Sequence, residues 1–317
     1  VTIPSALRGD RRPAWLGPLV AVLVVYAVFG LLAPDTFLRA QNLLTMARQT
    51  VVVALCALGM TMVIVTGGID LSTGSLVALT TVVAARLLKD GHGPGVAVLG
   101  ALAVAALLGA CVGTLVGRFE MMPFVVTLGA MTILRGAAKG LAEEQKIDCD
   151  PRGLDRLLAA DASAPGLWIT LALAAAVVVL LRYTRFGRHV FAVGSNEATA
   201  RLCGIDPARV KLLVYTLSFL LAGVAGVMEL STLTVGDPTD SIGLELDVIA
   251  AVVVGGASLS GGEGSVVGSV LGALLMTIIK TGAVHQGMPT WTQEIATGAI
   301  IVVAVAVDRA RHVGRRA

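Results

Sequence analysis

Long apolar stretches alternate with short polar ones along this chain, and most of the apolar stretches match a bilayer in length. A helix needs about 20 mainly apolar residues to cross roughly 30 Å of hydrocarbon. The pattern predicts ten spans, at 15–33, 49–66, 72–88, 96–117, 123–141, 166–183, 211–230, 244–257, 265–283 and 291–307. The eighth is short and also fits a re-entrant segment, since non-helical backbone is tolerated at membrane depth where protein buries it. The first follows Arg8, Arg11 and Arg12, as a signal peptide would. At about 19 residues it exceeds the 7–15 of a signal-peptide core. It is expected to stay in the protein as the first span.

Composition extends this picture to the whole chain. Hydrophobic residues make up 56% and charged residues 14% of the sequence, and the mean hydropathy is +0.86. Soluble domains carry about 25% charged residues, and here the deficit runs from end to end. The fold class expected is therefore all-α, a polytopic transmembrane helical bundle. Its 37 glycines suit helices that pack closely through small side chains. Cys56, Cys111, Cys149 and Cys203 show no metal or disulfide spacing and read as packing residues. The net charge of +3 is too small and scattered for nucleic-acid binding.

Charge also orients the spans, because cytoplasmic loops collect Lys and Arg. Arg8, Arg11 and Arg12 precede the first span, and Arg309, Arg311, Arg315 and Arg316 follow the last. The loop between the sixth and seventh spans holds Arg185, Arg188, Arg201 and Arg209. Glu143, Glu144, Asp148, Asp150, Asp155 and Asp161 dominate one acidic stretch, and Asp237, Asp240, Glu245 and Asp247 another. Ten spans with both termini cytoplasmic put every basic cluster inside and both acidic stretches outside. The expected organisation is a cytoplasmic tail at 1–14, a transmembrane domain at 15–307 with a cytoplasmic loop at 184–210, and a second tail at 308–317.

The sequence contains no GxxxxGK[ST] phosphate loop, no HExxH and no GxSxG elbow, so neither ATP binding of that kind, nor zinc, nor a hydrolase is indicated. Within the spans the main ionisable residues are Arg135, Lys139, Glu229 and Lys280. A proton-coupled carrier needs a buried acidic relay, and one glutamate near a helix end reads instead as a side chain snorkelling towards an interface.

The remaining signals are polar, glycine-rich breaks. Residues 59–75 read GMTMVIVTGGIDLSTGS, in which two glycines permit a sharp turn and Asp70 or Ser72 can cap the next helix. Residues 122–136 read MPFVVTLGAMTILRG, residues 184–205 read TRFGRHVFAVGSNEATARLCGI, and residues 254–265 read VGGASLSGGEGS. In the third stretch Ser195 is the expected N-cap of a short helix over 196–203, with Gly204 as its stop and Pro207 preventing continuation. Glu197 sits favourably near that helix's N-terminus.

Taken in order, these four stretches resemble the ribose/xylose/galactose-type permeases of ATP-binding-cassette importers, over roughly residues 40–310. The resemblance implies a non-enzymatic channel subunit of a bacterial inner (plasma) membrane, passing a pentose or hexose. It implies three partners: an ATPase subunit, an extracytoplasmic sugar-binding protein and a second permease subunit, as homodimer or heterodimer. The chain itself would bind no cofactor, ATP and Mg²⁺ belonging to the ATPase. Ser195, Asn196, Glu197, Ala198, Arg201 and Gly204 would form the coupling helix that takes up motion from that ATPase. Thr61, Thr66, Asp70, Ser72, Thr127 and Thr132 carry the polar character of the motifs and are candidates for the pathway. A permease for branched-chain amino acids or nucleosides shares the architecture and remains an alternative; a secondary carrier is a more distant one.

Overall fold

A computed structural model describes residues 15–159 and 164–316, with side chains up to residue 306. The tail at 1–14, with its three arginines, and Asp161 lie outside the described residues, as do the side chains of the C-terminal arginines. Thirteen α-helices fill the described chain: α1 Leu16–Leu32, α2 Pro34–Phe37, α3 Ala40–Val65, α4 Thr73–Lys89, α5 Pro94–Gly117, α6 Pro123–Leu141, α7 Pro165–Tyr183, α8 Arg185–Ser195, α9 Glu197–Leu202, α10 Pro207–Leu233, α11 Leu244–Val254, α12 Val266–His285 and α13 Thr290–Arg316. Six of them, α3, α5, α6, α7, α10 and α12, are long and apolar enough to cross a membrane, and α1 and residues 290–306 of α13 are shorter apolar helices.

Several boundaries follow from local chemistry. Proline opens α5, α6, α7 and α10 at the first turn, where its missing N–H costs nothing and its fixed φ favours the helix. Pro207 therefore starts α10, capped by Asp206 Oδ1 accepting from Ala208 N at 3.0 Å. The span expected at 211–230 is correspondingly longer at both ends. The span expected at 49–66 begins at Ala40, because its polar first turns face protein and a cavity rather than lipid. At the C-terminus α13 runs on to Arg316, past the expected end of the last span.

Helix α3 is buried along most of its length. It runs antiparallel to α12, joined by Thr61 Oγ1 to Ser269 Oγ at 2.7 Å and by Thr281 Oγ1 to Gln49 Oε1 at 3.2 Å. Helices α5 and α10 also run antiparallel and nearly touch. A Cβ at Gly113 would lie 2.8 Å from Leu212 Cα, and one at Gly117 would lie 2.6 Å from the Ala208 carbonyl. Small residues let the backbones approach this closely. The outward faces of α5, α6 and α7 expose Leu99, Leu107, Ile133, Trp168 and Leu171, a surface suited to lipid.

Two helices follow non-helical entry segments. α4 begins only after a non-helical stretch from Thr66 to Ser72, and α11 has 11 residues, about 16 Å or half a bilayer. The eighth span expected at 244–257 is thus a half-length helix ending at Val254. Ahead of it, residues 237–243 fold inward, held by Arg135 Nη1 donating to the carbonyls of Pro238 at 2.9 Å and Asp240 at 2.7 Å. The starts of α4 and α11 meet at Gly74, where a Cβ would overlap the Ser241 carbonyl.

The two acidic stretches lie together. β1 (Ile147–Asp148) pairs antiparallel with β2 (Val235–Gly236), and Lys146 bridges Asp237 at 2.9 Å. The Asp237 carboxylate holds the Lys146 ammonium above its ordinary pKa. At the opposite end of the bundle lie α8, α9, the α5–α6 turn and the α11–α12 loop.

Replacing Gly113 by Val should force α5 from α10. The cost is about 1–3 kcal/mol of overpacking, seen as a lower melting temperature in detergent. Gly129→Ala, whose Cβ would meet open space, should leave it unchanged; equal effects would refute this packing.

Candidate functional site

Three structures at or near the motif residues carry the possible function: the break between α3 and α4, the α8–α9 end, and a polar cavity. The break is a helix end followed by a cap. Gly67 takes φ +79°, while Gly67 N donates to Ile64 O at 2.8 Å and Gly68 N to Val63 O at 3.0 Å. These paired bonds from a left-handed residue close the orphan carbonyls of the last turn. Across the gap, Asp70 Oδ1 accepts from Ser72 N at 2.8 Å and from Ser72 Oγ at 2.6 Å. Of the two caps expected at this point, Asp70 is the one that acts; Ser72 makes no side-chain cap bond. Thr127 Oγ1 donates to the Ile69 carbonyl at 3.0 Å, tying α6 to the break.

Of the six pathway candidates, the structure therefore brings together Asp70, Ser72 and Thr127, all buried. Thr61 joins α3 to α12 through Ser269. Thr66 bonds locally to the Val63 carbonyl at 2.8 Å. Thr132 is exposed and bonds to the Gly129 carbonyl at 2.8 Å, away from the others. Tyr215, which the motifs do not single out, lies beside the break, and a Cβ at Gly68 would sit 2.6 Å from its hydroxyl.

At the α8–α9 end, the cap differs from expectation. Ser195 is the last residue of α8, and Asn196 caps α9, its Oδ1 accepting from Thr199 N at 2.9 Å. Asparagine suits the cap as well as serine, and an extended Asn196 (φ −161°) separates the two helices. Gly204 closes α9 as expected, with φ +81° and Ile205 N donating to Ala200 O at 3.1 Å. Glu197 Oε2 accepts from Lys211 Nζ at 2.7 Å, which pins α9 to α10. Arg201 Nη2 reaches Glu120 Oε1 at 2.8 Å in the α5–α6 turn, and this guanidinium holds the Glu120 carboxyl below its ordinary pKa. Ala198 is exposed, and Leu202 is 89% exposed beside an open cleft of about 620 Å³ between the α5–α6 and α9–α10 turns.

This end is joined to the break through backbone contacts. The Val65 carbonyl, orphaned at the end of α3, accepts from Gly262 N at 2.8 Å. A Cβ at Gly194 would overlap that same carbonyl, and one at Gly261 would lie 2.7 Å from Gly194 O. Motif glycines from three separate stretches thus meet at one joint between α3, α8 and the α11–α12 loop.

The cavity, about 420 Å³, lies between α3, α10, α11 and α12 towards the acidic end. Arg48, Gln49, Glu229, Asp247 and Lys280 line it, and none of the six pathway candidates does. Lys280 pairs with Asp247 across α12 and α11. Glu229, read from sequence as a snorkelling residue, faces this cavity. Sequence reasoning missed Arg48 and Asp247; the available signal was a charge at the edge of each predicted span.

A bundle of close-packed apolar helices, two of them entered through non-helical segments, with a basic end and an acidic end, fits a multi-pass membrane protein of the transport class. The family described as branched-chain amino acid transport system / permease component matches residues 42–305, and the chain belongs to it. It is 38% identical over 311 residues to the ribose import permease of Escherichia coli K12, covering 94% of this chain and 96% of that protein. It is 34% identical to the L-arabinose ABC transporter permease of Azospirillum brasilense (95% and 89% covered). It is 31% identical to the D-allose transport system permease of Escherichia coli K12 (92% and 91% covered). No solved structure matches the chain.

Removing the cap by Asn196→Ala should cost about 1 kcal/mol, so amides of α9 should exchange with deuterium about fivefold faster. Ser195→Ala should leave that exchange unchanged; the reverse pattern would restore Ser195 as the cap.

Proposed function

We propose that this chain is the membrane-spanning permease subunit of an ATP-binding-cassette importer for a monosaccharide, a pentose or hexose. The observation that carries this reading is the end-to-end likeness to import permeases for ribose, L-arabinose and D-allose. The family description names branched-chain amino acids, so an amino-acid cargo is the second reading. On the proposed reading the chain binds no cofactor, ATP and Mg²⁺ acting on a partner ATPase. A sugar-binding protein delivers cargo at the acidic end, and a second permease subunit, a further copy or a similar chain, completes the channel.

The topology proposed is ten crossings of a bacterial inner membrane with both termini cytoplasmic. Two crossings are composite: residues 66–72 with α4, and residues 237–243 with α11. The end bearing Arg185, Arg188, Arg201 and Arg209 faces the cytoplasm by the positive-inside rule, and the paired acidic stretches face outward.

Coupling is assigned to α9, with Ser195, Asn196, Glu197, Ala198, Arg201 and Gly204. An ATPase that grips the exposed Ala198–Leu202 face moves α9 as a unit, because Asn196 and Gly204 cap it at both ends. Lys211 carries that motion into α10 through Glu197, and the glycine joint carries it into α3 and the α11–α12 loop. Thr61, Asp70, Ser72 and Thr127 then act on the pathway by holding its broken helices in place, with Thr66 and Thr132 peripheral to it.

Reconstitution in liposomes with the cognate ATPase and binding protein should show ATP-driven uptake of a pentose or hexose. Uptake of leucine, with no sugar moved, would replace this reading by the second. Glu197→Gln with Gly204→Val should reduce uptake about tenfold or more while membrane insertion is retained; normal uptake would remove the coupling role from α9. For topology, a membrane-impermeant maleimide should label exposed Cys203 in inside-out vesicles and not in intact cells, and labelling of intact cells would invert the proposed orientation.

A further inference from the structure

The cavity between α3, α10, α11 and α12 holds charges that the fold leaves without partners. Arg48 Nε is buried and has no hydrogen-bond partner. Glu229, half-buried on α10, makes no hydrogen bond or ion pair among the described residues. Both line the same space of about 420 Å³, within the range of ligand sites, about 300–1,000 Å³, yet no ion pair joins them. An unpaired charge within a membrane bundle is costly and is retained where it serves a ligand or a path. Asp247 and Lys280, on the opposite wall, are already paired with each other, so they neutralise one another and stiffen the α11–α12 side.

The shape and chemistry of the lining narrow the guest. No aromatic side chain lines the cavity, so recognition by ring stacking is absent and hydrogen bonding must orient whatever enters. Glu229 offers an acceptor, Arg48 only donors, and Thr45 and Gln49 both, distributed around the space. Asp240, whose carboxylate accepts from Ser241 Oγ, also lines the space, so a guest of single charge would leave a lone charge of its own sign uncompensated. A neutral molecule with hydroxyls on several sides satisfies Glu229 and Arg48 together; a zwitterionic amino acid would as well, and the likeness to import permeases for ribose, L-arabinose and D-allose favours the former.

We propose that this cavity is a binding station for a monosaccharide in transit, with the Glu229 carboxylate accepting hydrogen bonds from its hydroxyls and the Arg48 guanidinium donating to them. The proposal rests on the importer reading above and assigns its cargo a place. It lies on the acidic side of the α4–α11 meeting point, so cargo arriving there has yet to pass the broken helices.

The test uses the full chain reconstituted with its ATPase and binding protein, with radiolabelled D-ribose, L-arabinose, D-allose and L-leucine as probes. Glu229→Gln and Arg48→Gln should each lower maximal sugar uptake about tenfold or more and change the ratio among the three sugars. The half-saturating concentration, set by capture on the binding protein, should hold. Glu229→Asp should recover part of the rate. Gel filtration with the ATPase identifies any variant that fails to assemble. In that case Thr45→Val and Gln49→Leu, which leave no charge unpaired, should reduce uptake and shift the sugar ratio in its place. Unchanged rates and ratios in the assembled variants overturn the cavity assignment while the wild type's sugar uptake leaves the importer reading intact. A wild type that moves leucine and no sugar overturns the importer reading and this guest together.

Discussion

Everything in this bundle depends on how the backbone between Thr66 and Ser72 satisfies its polar groups without water. An unpaired amide in a low-dielectric interior costs several kcal/mol, so a chain cannot leave its helix at depth unless each freed group finds a partner. Here the left-handed Gly67 closes the end of α3, and Gly262 takes the Val65 carbonyl. Asp70 takes Ser72, and Thr127 takes Ile69. Once those bonds exist, α4 can begin part-way through the bundle, and its late start leaves room for the inward fold of 237–243 and the short α11. Arg135 does for the second interruption what Thr127 does for the first, gripping carbonyls from the neighbouring α6.

The same economy links distant parts. At the joint of Gly67, Gly194, Gly261 and Gly262, backbone packs directly against backbone. Packed interiors transmit small displacements because they have little free volume to absorb them. Residues of α8, α3 and the α11–α12 loop are in direct backbone contact at this joint.

Much of this was legible in the sequence, and the failures have physical causes. Apolar length located the spans, since only helices satisfy their own backbone in lipid. Gly204, with its left-handed φ, marked the end of α9 because few other residues tolerate that conformation. The start of α3 was missed because polarity at Gln41, Asn42 and Arg48 signals a loop when a helix is assumed to face lipid, whereas Asn42 bonds the Phe37 carbonyl and Arg48 faces a cavity. The choice between Ser195 and Asn196 as cap turned on one residue, where both chemistries suit and only the backbone decides. The β1–β2 clip was invisible, being two residues on each side. The cavity could not be read at all: its walls come from residues 45–53, 229–247 and 280, and no local pattern records that they meet. The motif threonines, which do stand out in sequence, hydrogen-bond to helix carbonyls, to a neighbouring helix or to the break between α3 and α4.

The meeting of α4 and α11 has an electrical consequence. Both helices begin near Gly74, so two positive dipole ends, each equivalent to about half a charge, point into one small volume. Each brings a carboxyl group to its own entrance: Asp70 before α4, Glu245 and Asp247 in the first turn of α11. Lys280, on α12, meets Asp247. Opposing charges are thus cancelled where they arise. A transmembrane voltage does about 2.3 kcal/mol of work per 100 mV on each unit charge it can move, and rearranging a locally compensated centre moves almost none. A rearrangement confined to this meeting point would therefore draw almost nothing from the membrane potential, unlike one that moved the lone charges of the neighbouring cavity.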